Sequence, residues 1–140
     1  MHETFMRRAI SLAERGRGHT APNPLVGAVL VRDGKIIGEG FHAFYGGLHA
    51  ERAALEDCRH RGLSPAGASL YVTLEPCCHT GKQPPCTEAI LAAGIRAVFV
   101  GSSDPNPLVA GKGIAALRQG GIAVTEHVSE SACDALNAPF

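Results

Sequence analysis

The sequence predicts an α/β fold, a three-layer α/β/α sandwich around a five-stranded mixed sheet. Three observations carry this. Helical and strand-like periodicities alternate along the chain. The run Leu25 to Val31 is almost wholly apolar, the pattern of a strand covered on both faces. Asp33-Gly34 then gives a hairpin signal for one antiparallel pair, while the later strands are separated by helices, as crossover connections require.

In chain order, Phe5, Met6, Ala9, Ile10, Leu12 and Ala13 recur at helical spacing, with Arg7, Arg8, Glu14 and Arg15 on the other face. After the apolar strand and the Asp-Gly turn, Ile36 to Phe41 forms the second strand. His49 to Arg59 reads as a helix with Ala53, Ala54, Leu55 and Cys58 available for packing. Ser69 to Leu74 is a strand of β-branched and aromatic character. Pro84-Pro85 is a good entry, and Gly94 a good exit, for a helix over Cys86 to Ala93. Ala97 to Val100 and Ile122 to Thr125 complete the five strands, with a short helix, Ile114 to Arg118, between them. Gly111-Lys112-Gly113 lacks the rest of a phosphate-binding loop and reads as the entry to that helix. No internal repeat or low-complexity segment interrupts the pattern.

At 140 residues the chain is expected to be one domain, 1–140, long enough to bury a real core. Lys plus Arg equals Asp plus Glu at 13 each, no basic run occurs, Trp is absent, and only five Phe and two Tyr are present. A protein gripping nucleic acid shows a basic stripe and stacking aromatics. Neither is here, so the expectation is a small-molecule substrate and no nucleic acid. The longest apolar runs are strand-length, so no membrane span is expected. Five Cys is an odd number and two of them are adjacent, which argues against a disulfide framework and fits a reducing cytoplasm.

The chemistry is concentrated in His49-Ala50-Glu51, Pro76-Cys77 and Cys86. One imidazole and two thiolates supply three of zinc's four tetrahedral positions and leave the fourth for water. Both cysteines lie near the start of one helix and His49 opens another, and helix N-termini favour thiolate. Leu74 to Cys77 is the carboxyl end of a strand, where open α/β sheets gather ligands. A carboxylate two residues from the His is placed to move protons for a zinc-activated water. His-x-Glu followed by Pro-Cys and a second Cys is a signature of nucleobase deamination, in which the Glu does not ligate the metal. A purely structural zinc module remains an alternative, because Cys78, His79 and Glu51 each offer a fourth ligand.

The spans Pro22 to Gly27, His49-Ala50-Glu51, Thr73 to Cys77, Gly81-Lys82, Pro84-Pro85-Cys86 and Asp104 to Pro107 resemble the deaminase domain of the bifunctional riboflavin-biosynthesis deaminase/reductase. The likeness runs from the first helix to the last residues. It includes the eight residues between Cys77 and Cys86, where most cytidine and tRNA-adenosine deaminases have two. The resemblance implies a cytidine deaminase-like fold and zinc held by His49, Cys77 and Cys86, with Glu51 as proton shuttle. It implies hydrolysis of the 2-amino group of 2,5-diamino-6-ribosylamino-4(3H)-pyrimidinone 5′-phosphate, with release of ammonia. Asn23, His42, His79 and Lys82 match positions that line the family's pocket. Asn and His suit ring nitrogens and carbonyls, and Lys82 suits the ribose phosphate. Asn23 also reads as a turn former, His42 as a strand-end surface residue and Lys82 as a solvated loop charge. Asp104 and Asn106 read equally as pocket residues or as a rigid turn. His2, His19, His60, His127, Cys58 and Cys133 read as surface or packing residues. Deaminases of this fold usually associate, so a homodimer or homotetramer is expected.

Two departures stand out. Leu48 occupies the position where the family usually has Pro, and Gln83 the position where it usually has Thr. Both flank proposed ligands without replacing any, so they bear on substrate fit rather than on zinc. The family's bacterial members usually continue into a reductase domain. The chain stops about where that junction falls, which fits either a free-standing deaminase or one cut at the boundary. Deamination of another base, a nucleoside or a tRNA adenosine is the alternative activity.

Overall fold

The computed structural model describes residues 2–77 and 85–138. Its elements in order are α1 (His2–Glu14), β1 (Gly27–Arg32), β2 (Lys35–Phe41), α2 (Ala50–His60), β3 (Ser69–Leu74), α3 (Cys86–Ala92), β4 (Ala97–Ser102), α4 (Lys112–Gln119), β5 (Ala123–Thr125) and α5 (Glu130–Leu136). The strands form one mixed sheet in the order β2-β1-β3-β4-β5. β1 pairs antiparallel with both β2 and β3, and β4 runs parallel to β3 and β5. The expected mixed sheet is present.

The two-residue repeat of the strands sorts the core into two layers. Ala28, Leu30, Leu70, Val72, Val98 and Val100 face a cluster that includes Ala54 and Leu55 of α2, Ile90 of α3 and Leu117 of α4. Val29, Val31 and Tyr71 point the other way, against Met6, Ala9 and Leu12 of α1 and Cys133 of α5. This makes the three layers: α2, α3 and α4 on one face, α1 and α5 on the other. Cys58 and Cys133 are both buried, so of the two roles expected for them, surface or packing, they take the second.

Asp33 (φ 53°) and Gly34 (φ 73°) both adopt left-handed backbone, the geometry a two-residue hairpin turn needs. β1 begins two residues later than the apolar run. Leu25 is buried, but its N–H is given to the side chain of Asn137, and the N–H of Gly27 to Thr73 Oγ1. Apolarity marked burial there, not ladder pairing. The element without a sequence signal is α5. It follows Ser129 in left-handed backbone with no side-chain cap, and its single turn pair buries only Cys133 and Leu136.

α2 lies so close to β2 that side chains are excluded between them. A Cβ at Gly40 would stand 2.4 Å from Ala54 N and 2.6 Å from Ala50 O. Both are backbone atoms of the helix that carries Glu51, so they cannot swing aside. Gly40→Ala is expected to destabilise the fold by about 1–3 kcal/mol through overpacking, read as a lower denaturation midpoint at unchanged urea m-value.

Candidate metal centre and pocket

Three chain segments converge at the carboxyl end of β3. His49 is the N-cap of α2, with extended backbone (φ −69°, ψ 156°) and no side-chain capping bond, so its ring is available to the centre. Cys77 lies just past β3. Cys86 is the first residue of α3, entered through Pro85 (φ −56°, ψ 140°). The donor atoms of His49, Cys77 and Cys86 all lie within 4.8 Å of one another.

The donor set fits zinc. His49 Nδ1 is 3.2 Å from Cys86 Sγ and 3.7 Å from Cys77 Sγ. A tetrahedral ion with Zn–N of about 2.0 Å and Zn–S of about 2.3 Å separates N and S ligands by about 3.5 Å. The ligating nitrogen would be Nδ1. Among the described residues these are the three grouped donors, one short of a closed structural site.

Electrostatics mark Cys77 as the readily ionised thiol of the cluster. Cys77 is pulled down to about 4, first by the hydrogen bond with Cys86 and then by those from His49 and the Cys86 backbone, against burial. The Cys86 N–H donates to Cys77 Sγ at 3.3 Å, and the Thr87 N–H to Cys77 O at 3.2 Å. The start of α3 therefore donates to Cys77, as expected for a stabilised thiolate. Cys86 is pushed far up because its own S–H donates to the Cys77 sulfur, and burial adds to this. His49 is raised, chiefly by its bond with Cys77. Burial pushes the Glu51 carboxyl up to about 7, against a bond to its own backbone N–H.

A cleft of about 370 Å³ opens beside this cluster, within the size range of ligand sites. Its lining includes His49, Glu51, Cys77, Asn23, His42 and Asp104. The structure thus brings together His49, Glu51, Cys77, Cys86, Asn23 and His42. His79 and Lys82 lie outside the described residues. Asn106 is exposed and closes the turn: its N–H donates to Asp104 Oδ1, and its own Oδ1 accepts from the Leu108 N–H.

His42 is not a strand-end surface residue; it is 3% exposed. Its Nδ1 is 3.0 Å from Leu48 O, a group that only accepts, so the proton resides on Nδ1. Its Nε2, 3.2 Å from Asn23 Nδ2, then accepts from the Asn23 amide. Both ring nitrogens are thereby engaged, and His42 sets the orientation of Asn23.

Glu75 is a site residue that the sequence reading did not single out. It is 6% exposed, and its carboxylate accepts from four backbone N–H groups: Asp104 at 3.2 Å, Gly111 at 3.0 Å, Gly113 at 2.9 Å and Ile114 at 3.3 Å. These belong to the start of α4 and to the loop that brings Asp104 to the cleft. A Cβ at Gly113 would stand 2.0 Å from Pro76 O, so only glycine permits this approach. An acidic residue two positions before the cysteine, with a Gly-Lys-Gly helix entry downstream, was the available signal.

The family model for the cytidine and deoxycytidylate deaminase zinc-binding region matches residues 1–102. The chain is 54% identical over 136 residues to the riboflavin biosynthesis protein RibD of Actinobacillus pleuropneumoniae, covering 97% of this chain and 35% of that protein. It is 55% identical to RibD of a Synechocystis strain, covering 99% and 37%. The crystal structure of a diaminohydroxyphosphoribosylaminopyrimidine deaminase/5-amino-6-(5-phosphoribosylamino)uracil reductase from Thermotoga maritima superimposes with a TM-score of 0.92 at 53% identity, covering 97% of this chain and 39% of that one. The chain spans little more than a third of these relatives. The cytidine deaminase-like fold is the one shared. No described helix is long and apolar enough to cross a membrane.

Purified protein is expected to carry about one zinc per chain, the complement of one three-donor site. His49→Ala, Cys77→Ser and Cys86→Ser should each lose most of it, and Cys78→Ser should leave it nearly unchanged. Metal analysis by mass spectrometry decides this; full retention in any of the first three variants would remove that residue from the site.

Proposed function

Because the chain belongs to the cytidine and deoxycytidylate deaminase family, we propose that it hydrolyses the 2-amino group of 2,5-diamino-6-ribosylamino-4(3H)-pyrimidinone 5′-phosphate, a step of riboflavin biosynthesis. The observation that carries this reading is the cluster of His49, Cys77 and Cys86 beside a cleft that also holds Glu51. The name of the Thermotoga relative supplies the substrate class.

Bound to those three donors, zinc supplies the Lewis acid that makes water nucleophilic near neutral pH. Water adds to C2 of the pyrimidinone: a C–O bond forms, the C–N bond to the exocyclic amine breaks, and the products are the carbonyl and ammonia. Glu51 takes a proton from the water, delivers it to the ring nitrogen, and then moves the hydroxyl proton to the departing amine. A carboxyl poised near neutrality, as burial makes Glu51, suits both halves of that transfer. Asn23, held by His42, reads the ring with its remaining N–H and its Oδ1. By the resemblance of their positions, His79 is assigned to substrate binding and Lys82 to the phosphate.

The reading extends to residues 1–140 acting as one deaminase domain in a reducing cytoplasm, where Cys77 and Cys86 would stay reduced to hold zinc. It also includes a homodimer or homotetramer, which sedimentation equilibrium would test; a monomer would end that part.

Glu51→Gln is expected to keep zinc and fold while losing about 10²–10⁴-fold in kcat. A kcat within tenfold of the parent would defeat the shuttle. Lys82→Ala should raise KM for the ribotide with less effect on kcat and leave the dephosphorylated nucleoside nearly unaffected, as when uniform binding is lost. Equal harm to both substrates would exclude Lys82 as the phosphate anchor. A parent enzyme that prefers a tRNA anticodon loop to every mononucleotide would overturn the substrate itself.

A further inference from the structure

We propose that Asn137, just past α5, is a positioning residue for the pocket: its carboxamide holds the backbone of Leu25 as a strand partner would and so fixes Asn23 against His42. The inference rests on reading the cleft as a deaminase substrate site. Asn137 and Leu25 are 112 residues apart in the chain, yet the Leu25 N–H donates to Asn137 Oδ1 at 2.7 Å and Asn137 Nδ2 donates to Leu25 O at 3.0 Å. One side-chain amide satisfies both backbone groups of one residue, the exchange a ladder partner makes in an antiparallel pair. Leu25 needs such a partner. It is 7% exposed and precedes the start of β1, and backbone groups buried without a hydrogen bond are costly.

The chain between Leu25 and the cleft is short and stiff. Asn23 is flanked by Pro22 and Pro24, whose rings fix φ. Its N–H donates to Thr20 O at 2.8 Å, and Thr20 Oγ1 donates back to Asn23 O at 3.0 Å. The turn is held on one side by Thr20 and on the other by Asn137. Asn23 Nδ2 then donates to His42 Nε2, which leaves Asn23 Oδ1 and one N–H for a ligand. Without Asn137, Leu25 loses its restraint and those two groups lose register with a bound ring. The metal donors sit on other segments and keep their places.

A control comes from the same helix. α5 is anchored independently, because Ser102 Oγ donates to Asp134 Oδ1 at 2.6 Å and Arg17 donates to Leu136 O at 3.1 Å. Asp134→Ala therefore removes one anchor of α5 while leaving the Asn137 side chain and its two hydrogen bonds to Leu25 in place, with Arg17 still holding the helix end.

The experiment measures ammonia release from the diaminopyrimidinone ribotide, zinc content, and amide hydrogen exchange over residues 20–26, in the parent, Asn137→Ala, Asn137→Asp and Asp134→Ala. Asn137→Ala is expected to raise KM about tenfold, the scale of one or two lost hydrogen bonds. Its kcat should stay within about twofold, its zinc at the parent level, and the Leu25 N–H should exchange faster. Asn137→Asp matches the Asn shape but sets an acceptor against Leu25 O, so it should behave like the Ala variant; a space-filling role would leave it like the parent. Asp134→Ala should keep the parent KM. The proposal is overturned by faster Leu25 exchange with an unchanged KM, by Asp134→Ala matching Asn137→Ala in KM, or by parent-like Asn137→Asp. If Asn137→Ala does not fold, Asn137→Asp carries the same comparison. A parent that releases no ammonia from the ribotide sinks the functional reading instead, and exchange at Leu25 still decides whether Asn137 restrains the turn.

Discussion

Glu75 sits 6% exposed at the end of β3 with four backbone N–H groups on its two oxygens, and the rest of the site is arranged around it. A carboxylate so buried is tolerated only when its acceptor capacity is filled, and the start of α4 fills it with aligned N–H dipoles. The backbone N–H of Glu75 donates to Ser102 O, so the side chain and main chain of one residue bind β3, β4, α4 and the Asp104 loop together. Cys77 follows two residues later. The position of Cys77 in the candidate metal centre is thus inherited from a charge-compensated joint between two parallel strands.

The opposite wall of the cleft is built differently. There the antiparallel half of the sheet, β2 and β1, presses α2 close enough to exclude side chains, which places His49 and Glu51 at the first turn of a helix that cannot slide. A second set of contacts runs from Leu25 through the Asn23 turn to His42 and on to the carbonyl of Leu48, the residue before His49. The His42 and His49 rings stand edge to face at 5.6 Å. The Asn23 turn and the His49 cluster therefore share a neighbour.

Much of this was legible in the sequence, and the remainder was hidden for physical reasons. Strands and helices with clean periodicity, such as Ser69–Leu74, fell where expected because one face of each had to be apolar. The grouping of His49, Cys77 and Cys86 was legible because zinc chemistry requires those residue types. Glu75 and Asn137 were not. Each acts through backbone groups distant in sequence, and no residue type at the far end of such a bond announces it. His42 was half legible: pocket lining was expected, but the exhaustion of both its nitrogens depends on a turn and a loop meeting in space. α5 was missed because a seven-residue helix with two buried positions leaves too short a repeat to read.

Leu48 stands where related sequences usually carry Pro. Its side chain is 39% exposed and lies along an outer groove with Phe44 rather than in the cleft. What the site takes from this position is the carbonyl that accepts from His42 Nδ1. Proline presents that carbonyl equally well, since it lacks only the N–H. The ring would add stiffness before His49, whose own backbone is already extended, the conformation in which α2 starts. Leu48 therefore changes the flexibility of the approach to His49 and the apolar surface outside the cleft, while the hydrogen bond that orients the His42 ring keeps the acceptor it needs.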